Sequence, residues 1–204
     1  MVTIVLTRHG HVEGIDPPRF RGRAELALTE RGRRQVQATA RRISAGWRVD
    51  AVYTSPMQRC IATGQAIAAS AHVESRVLDP LNDIDYGDWQ GRTHDEVRAA
   101  SPELFKLWHD APHLVRFPGG ESLQDLVARA ADALRLVLDR HRDGTVVLVG
   151  HDSVNRAMLL LLADQPLSAY WRLSQDPCGI SEIKLGPDIR IRRVNETLHL
   201  DGIS

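Results

Sequence analysis

The sequence predicts a three-layer α/β/α sandwich built on a mainly parallel central sheet. Apolar, β-branched runs alternate along the chain with segments of helical periodicity, the pattern of strands joined by crossover helices. The first run, residues 2–7, and a later one, residues 145–149, lack the polar alternation of a one-sided strand, as expected when both faces of a sheet are covered. Each breaks off in a polar burst, Arg8-His9-Gly10 and Gly150-His151-Asp152-Ser153. Ligands of such sheets sit beyond the carboxyl ends of the strands, so these bursts mark a functional rim.

Residues 2–7 form the first strand. Thr29-Glu30-Arg31-Gly32 then opens a segment in which Val36, Ala40 and Ile43 share one face while Arg33, Arg34, Arg41 and Arg42 point away, a surface helix. Residues 50–53 read as a second strand. Thr54-Ser55-Pro56 predicts a hydroxyl-capped helix with proline in its first position, running to about residue 70. A third strand is expected over 73–78. Residues 79–121 are less regular, with short helices at 94–100 and 102–109 and a loop bearing Pro112, Pro118, Gly119 and Gly120, an insertion suited to roof the rim. Ser122 opens the clearest helix: Leu123, Leu126, Ala130, Leu134 and Val137 recur at helical spacing, Asp125 completes a capping box, and Gly144 follows its end. After the strand at 145–149 comes a helix through residue 162, and residues 180–185 and 189–194 alternate as a hairpin around Gly186-Pro187-Asp188. No repeat or linker divides the chain, so residues 1–204 are expected to form one domain.

With 204 residues, 43% of them hydrophobic, a sizeable core is affordable. Lys plus Arg and Asp plus Glu number 26 each, so no net charge draws the chain to nucleic acid or an acidic membrane, and any electropositive site is local. Arg19, Arg21 and Arg23 lack the aromatic interleaving of a nucleic-acid stripe beyond Phe20, and neither nucleic acid nor membrane is expected as a partner. The longest apolar stretch, residues 157–163, falls far short of the ~20 residues of a bilayer span. Cys60 and Cys178 lie far apart without Cys-x-x-Cys spacing, which indicates neither a disulfide framework nor a cysteine zinc site and fits a reducing cytoplasm.

At the rim, the first strand delivers Arg8 and His9 and the strand at 145–149 delivers His151. Arg59 lies inside the start of the helix after Ser55, near the positive end of its dipole. Two guanidiniums and a helix start describe an anion pocket, and a neutral imidazole attacks phosphorus once the charge on the phosphoryl oxygens is neutralised. The leaving oxygen needs a proton, for which Asp83, with Asp85 in reserve, is the nearest carboxyl candidate.

These residues also carry a resemblance. Leu6-Thr7-Arg8-His9-Gly10 resembles the Arg-His-Gly signature of the histidine phosphatase superfamily, the phosphoglycerate mutase-like proteins. Arg21-Gly22 with Leu28-Thr29-Glu30-Arg31-Gly32-Arg33-Arg34-Gln35, then Thr54-Ser55-Pro56-Met57-Gln58-Arg59-Cys60, are similar to its next two blocks. Asp85-Tyr86-Gly87-Asp88-Trp89-Gln90-Gly91, Phe117-Pro118-Gly119-Gly120-Glu121-Ser122 and Val149-Gly150-His151-Asp152 are similar to three later ones, in order. The resemblance implies a phosphoglycerate mutase-like fold, phosphorylation of His9 in turnover, and a hold on the phosphoryl oxygens by Arg8, Arg59 and His151. It implies no metal and no cofactor. Asp83 stands where the family usually has its proton-donating Glu, one methylene longer. His11 replaces a common Glu and Ile15 a common Asn; His11 is expected to donate to phosphate or to titrate with it, and Arg21 to border the substrate.

The expected function is hydrolysis of a small phosphorylated metabolite through a phosphohistidine, with the phosphomonoester as the partner. Phosphoglycerate mutase-type transfer is the alternative. It is disfavoured because Trp108-His109-Asp110-Ala111 stands where such mutases carry Trp-Arg-Arg-Ser, leaving Arg92 and Arg116 as substitutes. A module that binds a phospho-ligand without turnover is a further alternative, as is a metal hydrolase using His9-Gly10-His11, whose barrel needs ~250 residues. Oligomeric state stays open, a homodimer included.

Overall fold

The computed structural model describes residues 1–203. Its elements, in chain order, are β1 (Val2–Arg8), α1 (Glu30–Gly46), β2 (Ala51–Thr54), α2 (Gln58–Ala71), β3 (Ser75–Val77), α3 (His94–Ala100), α4 (Pro102–Asp110), α5 (Leu123–Arg140), β4 (Gly144–Gly150), α6 (Asp152–Leu162), β5 (Ile180–Leu185) and β6 (Ile189–Glu196). The strands form one sheet in the order β3-β2-β4-β1-β5-β6. The first four in that order run parallel, and the C-terminal hairpin adds antiparallel beside β1.

Two-sided burial explains the continuous apolar runs. Along β4, Val146 and Leu148 pack with Leu134 and Val137 of α5 and Met158 of α6, while Val147 and Val149 pack with Ile43 of α1 and Cys60 and Ile67 of α2. A third cluster joins Phe20, Trp89, Phe105, Trp108 and Phe117 to Leu126 and Ala130 of α5 and Ala157 of α6. The irregular 79–121 segment is thus held on the α5/α6 layer by its aromatic side chains.

Three local expectations change. β3 is only Ser75–Val77, because the N–H of Val73 is spent on the Ala68 carbonyl at 3.0 Å, closing the end of α2. α2 starts at Gln58 behind an N-cap, Met57, with no side-chain bond. Ser55 is not its cap: its N–H extends the sheet to the Val149 carbonyl at 2.9 Å, and its hydroxyl meets His151 and accepts from the N–H of Met57 at 3.3 Å, one residue before the helix. Gly144 opens β4 and does not cap α5, which ends at Arg140. Thr29 caps α1, accepting from Gly32 N, and Ser122 with Asp125 makes the expected capping box.

Register places the site. Arg8 at the end of β1 lies opposite Gly150 at the end of β4, and the His9 N–H donates to the Gly150 carbonyl at 3.1 Å, so His9 and His151 leave adjacent strands side by side. The chain then passes under the first turn of α1, where a Cβ on Gly32 would stand 2.1 Å from the His11 carbonyl oxygen. Backbone meets backbone there, and no rotamer relieves the overlap. Gly32→Ala is expected to lower stability by about 1–3 kcal/mol, read as a lower urea midpoint. It should also depress catalysis by shifting the 9–11 segment, and an unchanged midpoint would show that α1 can move away freely.

Candidate active site

His9 is oriented by its own chain. Its Nδ1 lies 2.7 Å from the Gly10 carbonyl, which only accepts, so the proton sits on Nδ1 and the lone pair on Nε2. Arg59 donates from Nε to that nitrogen at 3.2 Å. Three more of its five N–H groups are engaged: Nη1 donates to the Ala24 carbonyl at 2.7 Å, and Nη2 to the Gly22 carbonyl at 2.7 Å and to Asp83 Oδ2 at 3.2 Å. His151 lies edge-on to His9, ring centroids 5.2 Å apart, with its Nε2 2.7 Å from Ser55 Oγ and its Nδ1 3.5 Å from Asp83 Oδ2. Arg8 donates from Nη1 to the Gln175 carbonyl at 2.6 Å, and its buried Nε and Nη2 have no hydrogen-bond partner among the described residues.

Asp83 is held on all sides. Its Oδ1 accepts from the Ile84 N–H at 2.9 Å and from the Ser153 hydroxyl, leaving Oδ2 to Arg59 and His151. Behind it, Arg129 of α5 donates to the carbonyls of Pro80, Asn82 and Asp83 and to both carboxylate oxygens of Glu121, which in turn accepts from the Asp85 N–H at 2.9 Å. This brace fixes the loop that carries Asp83.

The electrostatics follow from burial. Desolvation, then the neighbouring His151, Arg59 and Arg8, push His9 well below its ordinary 6.5, and desolvation with Arg59 and Arg8 does the same to His151. Both rings are therefore neutral at neutral pH, as a nitrogen nucleophile requires. Desolvation lowers Arg8 as well, against the attraction of Asp152. Beside Arg8 opens a cavity of about 320 Å³ whose wall includes Arg21, Tyr86, Trp108, Asp152 and Arg156.

Of the residues singled out from sequence, the structure gathers His9, Arg8, Arg59, His151 and Asp83 into one cluster. Asp85 turns away, accepting from Gly87 N and lying 3.3 Å from Arg23 Nη1. His11 is not brought to the cluster: its Nδ1 meets the Thr29 hydroxyl at 3.0 Å, and it lines a separate cavity with Arg31, Asp176 and Leu200. The His9-Gly10-His11 spacing therefore does not converge on a common ion, and among the described residues no three His, Cys, Asp or Glu side chains gather as a metal-holding group. Arg21 borders the cavity, but its Nη1 already donates to the Gly14 carbonyl at 2.6 Å. Asp110 pairs with Lys106 on an exposed face and His109 stacks on Trp171, and neither lines the cavity. Arg92 and Arg116 also lie off it, bonded to the Glu96 carbonyl and to Asp125. Sequence reasoning missed Ser55 and Ser153 as partners of His151 and Asp83, and Arg129 as the brace. The readable signal for Arg129 was a charge three residues after Leu126, on the buried side of α5.

A buried guanidinium pair with an unprotonated imidazole nitrogen beside it is what this rim provides, on a phosphoglycerate mutase-like fold. Residues 4–197 match the histidine phosphatase superfamily (branch 1), and the chain belongs to that superfamily. It is 35% identical over 201 residues to phosphoserine phosphatase 1 of Hydrogenobacter thermophilus, covering 98% of this chain and 95% of that one. It is 34% identical over 170 residues to the 2,3-bisphosphoglycerate-dependent phosphoglycerate mutase of Brucella canis, covering 78% and 81%. The solved structure of Bacillus stearothermophilus YhfR superposes with a TM-score of 0.92 at 28% identity, covering 98% of this chain and all of that one.

The buried rings couple stability to pH. Their folded values lie below 6.5, so as pH falls the unfolded chain takes up protons first, and stability present above 6.5 is lost toward the folded values. The urea midpoint is expected to fall as pH drops below 6.5, and His9→Gln should flatten that slope; a midpoint that rises on acidification would contradict the assignment.

Proposed function

We propose that the chain is a phosphomonoester hydrolase working through a phosphohistidine at His9, on a small phosphorylated metabolite in the cytoplasm, without a metal. The observation that carries this reading is the unprotonated Nε2 of a buried, neutral His9, which accepts from Arg59, together with the unmet N–H groups of Arg8. The guanidiniums of Arg8 and Arg59 supply the positive field that a metal supplies elsewhere. Among the described residues no helix is long and apolar enough to cross a membrane.

His9 Nε2 attacks phosphorus from the side opposite the leaving oxygen. The P–O ester bond breaks, its electron pair departs with that oxygen, and the Asp83 carboxyl supplies the proton. The positive charge that develops on the His9 ring is offset by the Nδ1–H bond to the Gly10 carbonyl. In the second half, water attacks the phosphohistidine, Asp83 takes its proton, and the N–P bond breaks to restore neutral His9 and free phosphate. Hydrolysis is favoured over mutase-type transfer because Arg92 and Arg116, the two substitutes the sequence offers for the mutase arginines, lie away from the cavity. The names of the relatives span phosphoserine hydrolysis and phosphoglycerate transfer, so they do not by themselves choose the leaving group.

Turnover quenched by denaturation without acid is expected to leave an acid-labile label on His9, equally in the presence of EDTA. His9→Ala should be folded, unlabelled and inactive; full wild-type activity with no trapped phosphohistidine would overturn the covalent route. Asp83→Asn should slow alkyl phosphates about 10²-fold or more while sparing p-nitrophenyl phosphate, whose leaving group departs without a proton. Equal losses on both substrates would take the donor role from Asp83.

A further inference from the structure

The two oxygens of the Asp83 carboxyl are held from different parts of the chain. Arg129 grips the backbone carbonyls of Pro80, Asn82 and Asp83 and makes no hydrogen bond to the carboxyl group, so its brace sets where the loop lies and leaves the carboxyl plane to other contacts. Those contacts come from α6. Ser153, two residues beyond His151 and 1% exposed, donates from its hydroxyl to Asp83 Oδ1. The Ile84 N–H donates both to that hydroxyl oxygen, at 3.2 Å, and to Oδ1, at 2.9 Å. An amide N–H only donates, so the hydroxyl proton of Ser153 points away from it, onto Oδ1.

Oδ1 thus meets two donors. A proton placed on it would be set against an N–H and an O–H, and the acid form has its free place on Oδ2. That oxygen has one close donor, Arg59 Nη2 at 3.2 Å, from the guanidinium that also donates to His9 Nε2. An aspartate carboxyl turns about a single soft torsion, so a grip on Oδ1 fixes the direction of Oδ2 as well. Without the Ser153 hydroxyl, Oδ1 would keep only the N–H of its own neighbour in sequence, and the two oxygens could exchange places.

We propose that Ser153 is a positioning residue for the proton transfer: by holding Oδ1 it reserves Oδ2 as the oxygen that carries the proton and turns that oxygen to the leaving group. This rests on the phosphatase reading and on Asp83 as its donor. The proton passes from Oδ2 to the leaving oxygen as the P–O bond breaks, and Ser153 keeps its own proton throughout, donating to Oδ1 of the carboxylate left behind. A hydrogen bond to a carboxylate is stronger than one to a carboxylic acid, so the Ser153 contact tightens as the proton departs and favours the transfer. In the second half of the reaction Oδ2 takes its proton back from the attacking water.

The test is kcat/KM of the purified full chain on phenyl phosphate and p-nitrophenyl phosphate, esters of similar size whose leaving oxygens differ in their need of a proton. Both are measured on one preparation, so their ratio is independent of the folded fraction. Ser153→Ala is expected to lower the phenyl to p-nitrophenyl ratio roughly 10-fold, and to change it no further when added to Asp83→Asn. Should Ser153→Ala not fold, Ser153→Cys, which nearly keeps the volume and weakens the donor, is expected to lower the same ratio. A merely structural role lowers both substrates alike. An unchanged ratio in the Ser153 variant, or a second fall of equal size on the Asp83→Asn background, overturns the positioning role and leaves the phosphatase standing. A wild-type ratio in Asp83→Asn removes the donor, and this proposal with it; hydrolysis of neither ester by the wild-type chain overturns the phosphatase reading itself.

Discussion

The guanidinium of Arg59 has no exposed surface, and a cation so buried is tolerated only where its N–H groups are met. Its partners come from distant parts of the chain: the Gly22 and Ala24 carbonyls in the loop after β1, Asp83 beyond β3, and His9 at the end of β1. Satisfying one charge therefore pulls three loops onto the sheet rim. The same requirement orders the chemistry, because the group that steadies the nucleophile also touches the carboxyl assigned to the leaving oxygen. Folding and catalysis share these bonds.

Around Arg59 the charges do not balance. Arg8, Arg59, Arg21 and Arg156 stand against two carboxyl groups, Asp83 and Asp152, and both imidazoles are held neutral, so the cluster carries a local positive excess in a chain whose total charge is zero. Burial magnifies that excess by lowering the effective dielectric. A dianionic phosphoryl group supplies the missing counter-charge, and the protein needs no basic surface elsewhere to favour it. Neutral rings also keep the two imidazoles from adding further cations to the cluster.

How much of this was legible follows from which interactions are local. The runs at β1 and β4 were readable because two-sided burial writes itself into composition, and the caps at Thr29 and Ser122 because each depends on residues within one turn. Whether Asp83 or Asp85 enters the site was not, since the segment between β3 and α3 has no period to assign faces; the inward turn of Asp83 is set by Ser153 and Arg59, far off in sequence. His11 lies two residues from His9 and would share its side in an extended strand, but the chain has already left β1 and passes beneath α1, and the ring finds Thr29. Arg129 and Arg156 were hidden by the habit of assigning helix charges to solvent. Their carbonyl and carboxylate partners exist only once the layers have packed.

Cys60 gives the rim a chemical character of its own. Its sulfur lies 3.4 Å from His151 Nε2 and 3.3 Å from the Gly150 carbonyl, a place where a thiolate would be close to a phosphoryl group, yet burial pushes the thiol far above its ordinary range despite the nearby Arg59. A thiol that stays protonated is a poor target for peroxides and alkylating agents. On the proposed route nitrogen does the work and the sulfur remains inert packing, so the rim lacks the oxidisable nucleophile on which cysteine-dependent phosphate chemistry relies, and iodoacetamide labelling of the folded chain would read that silence directly.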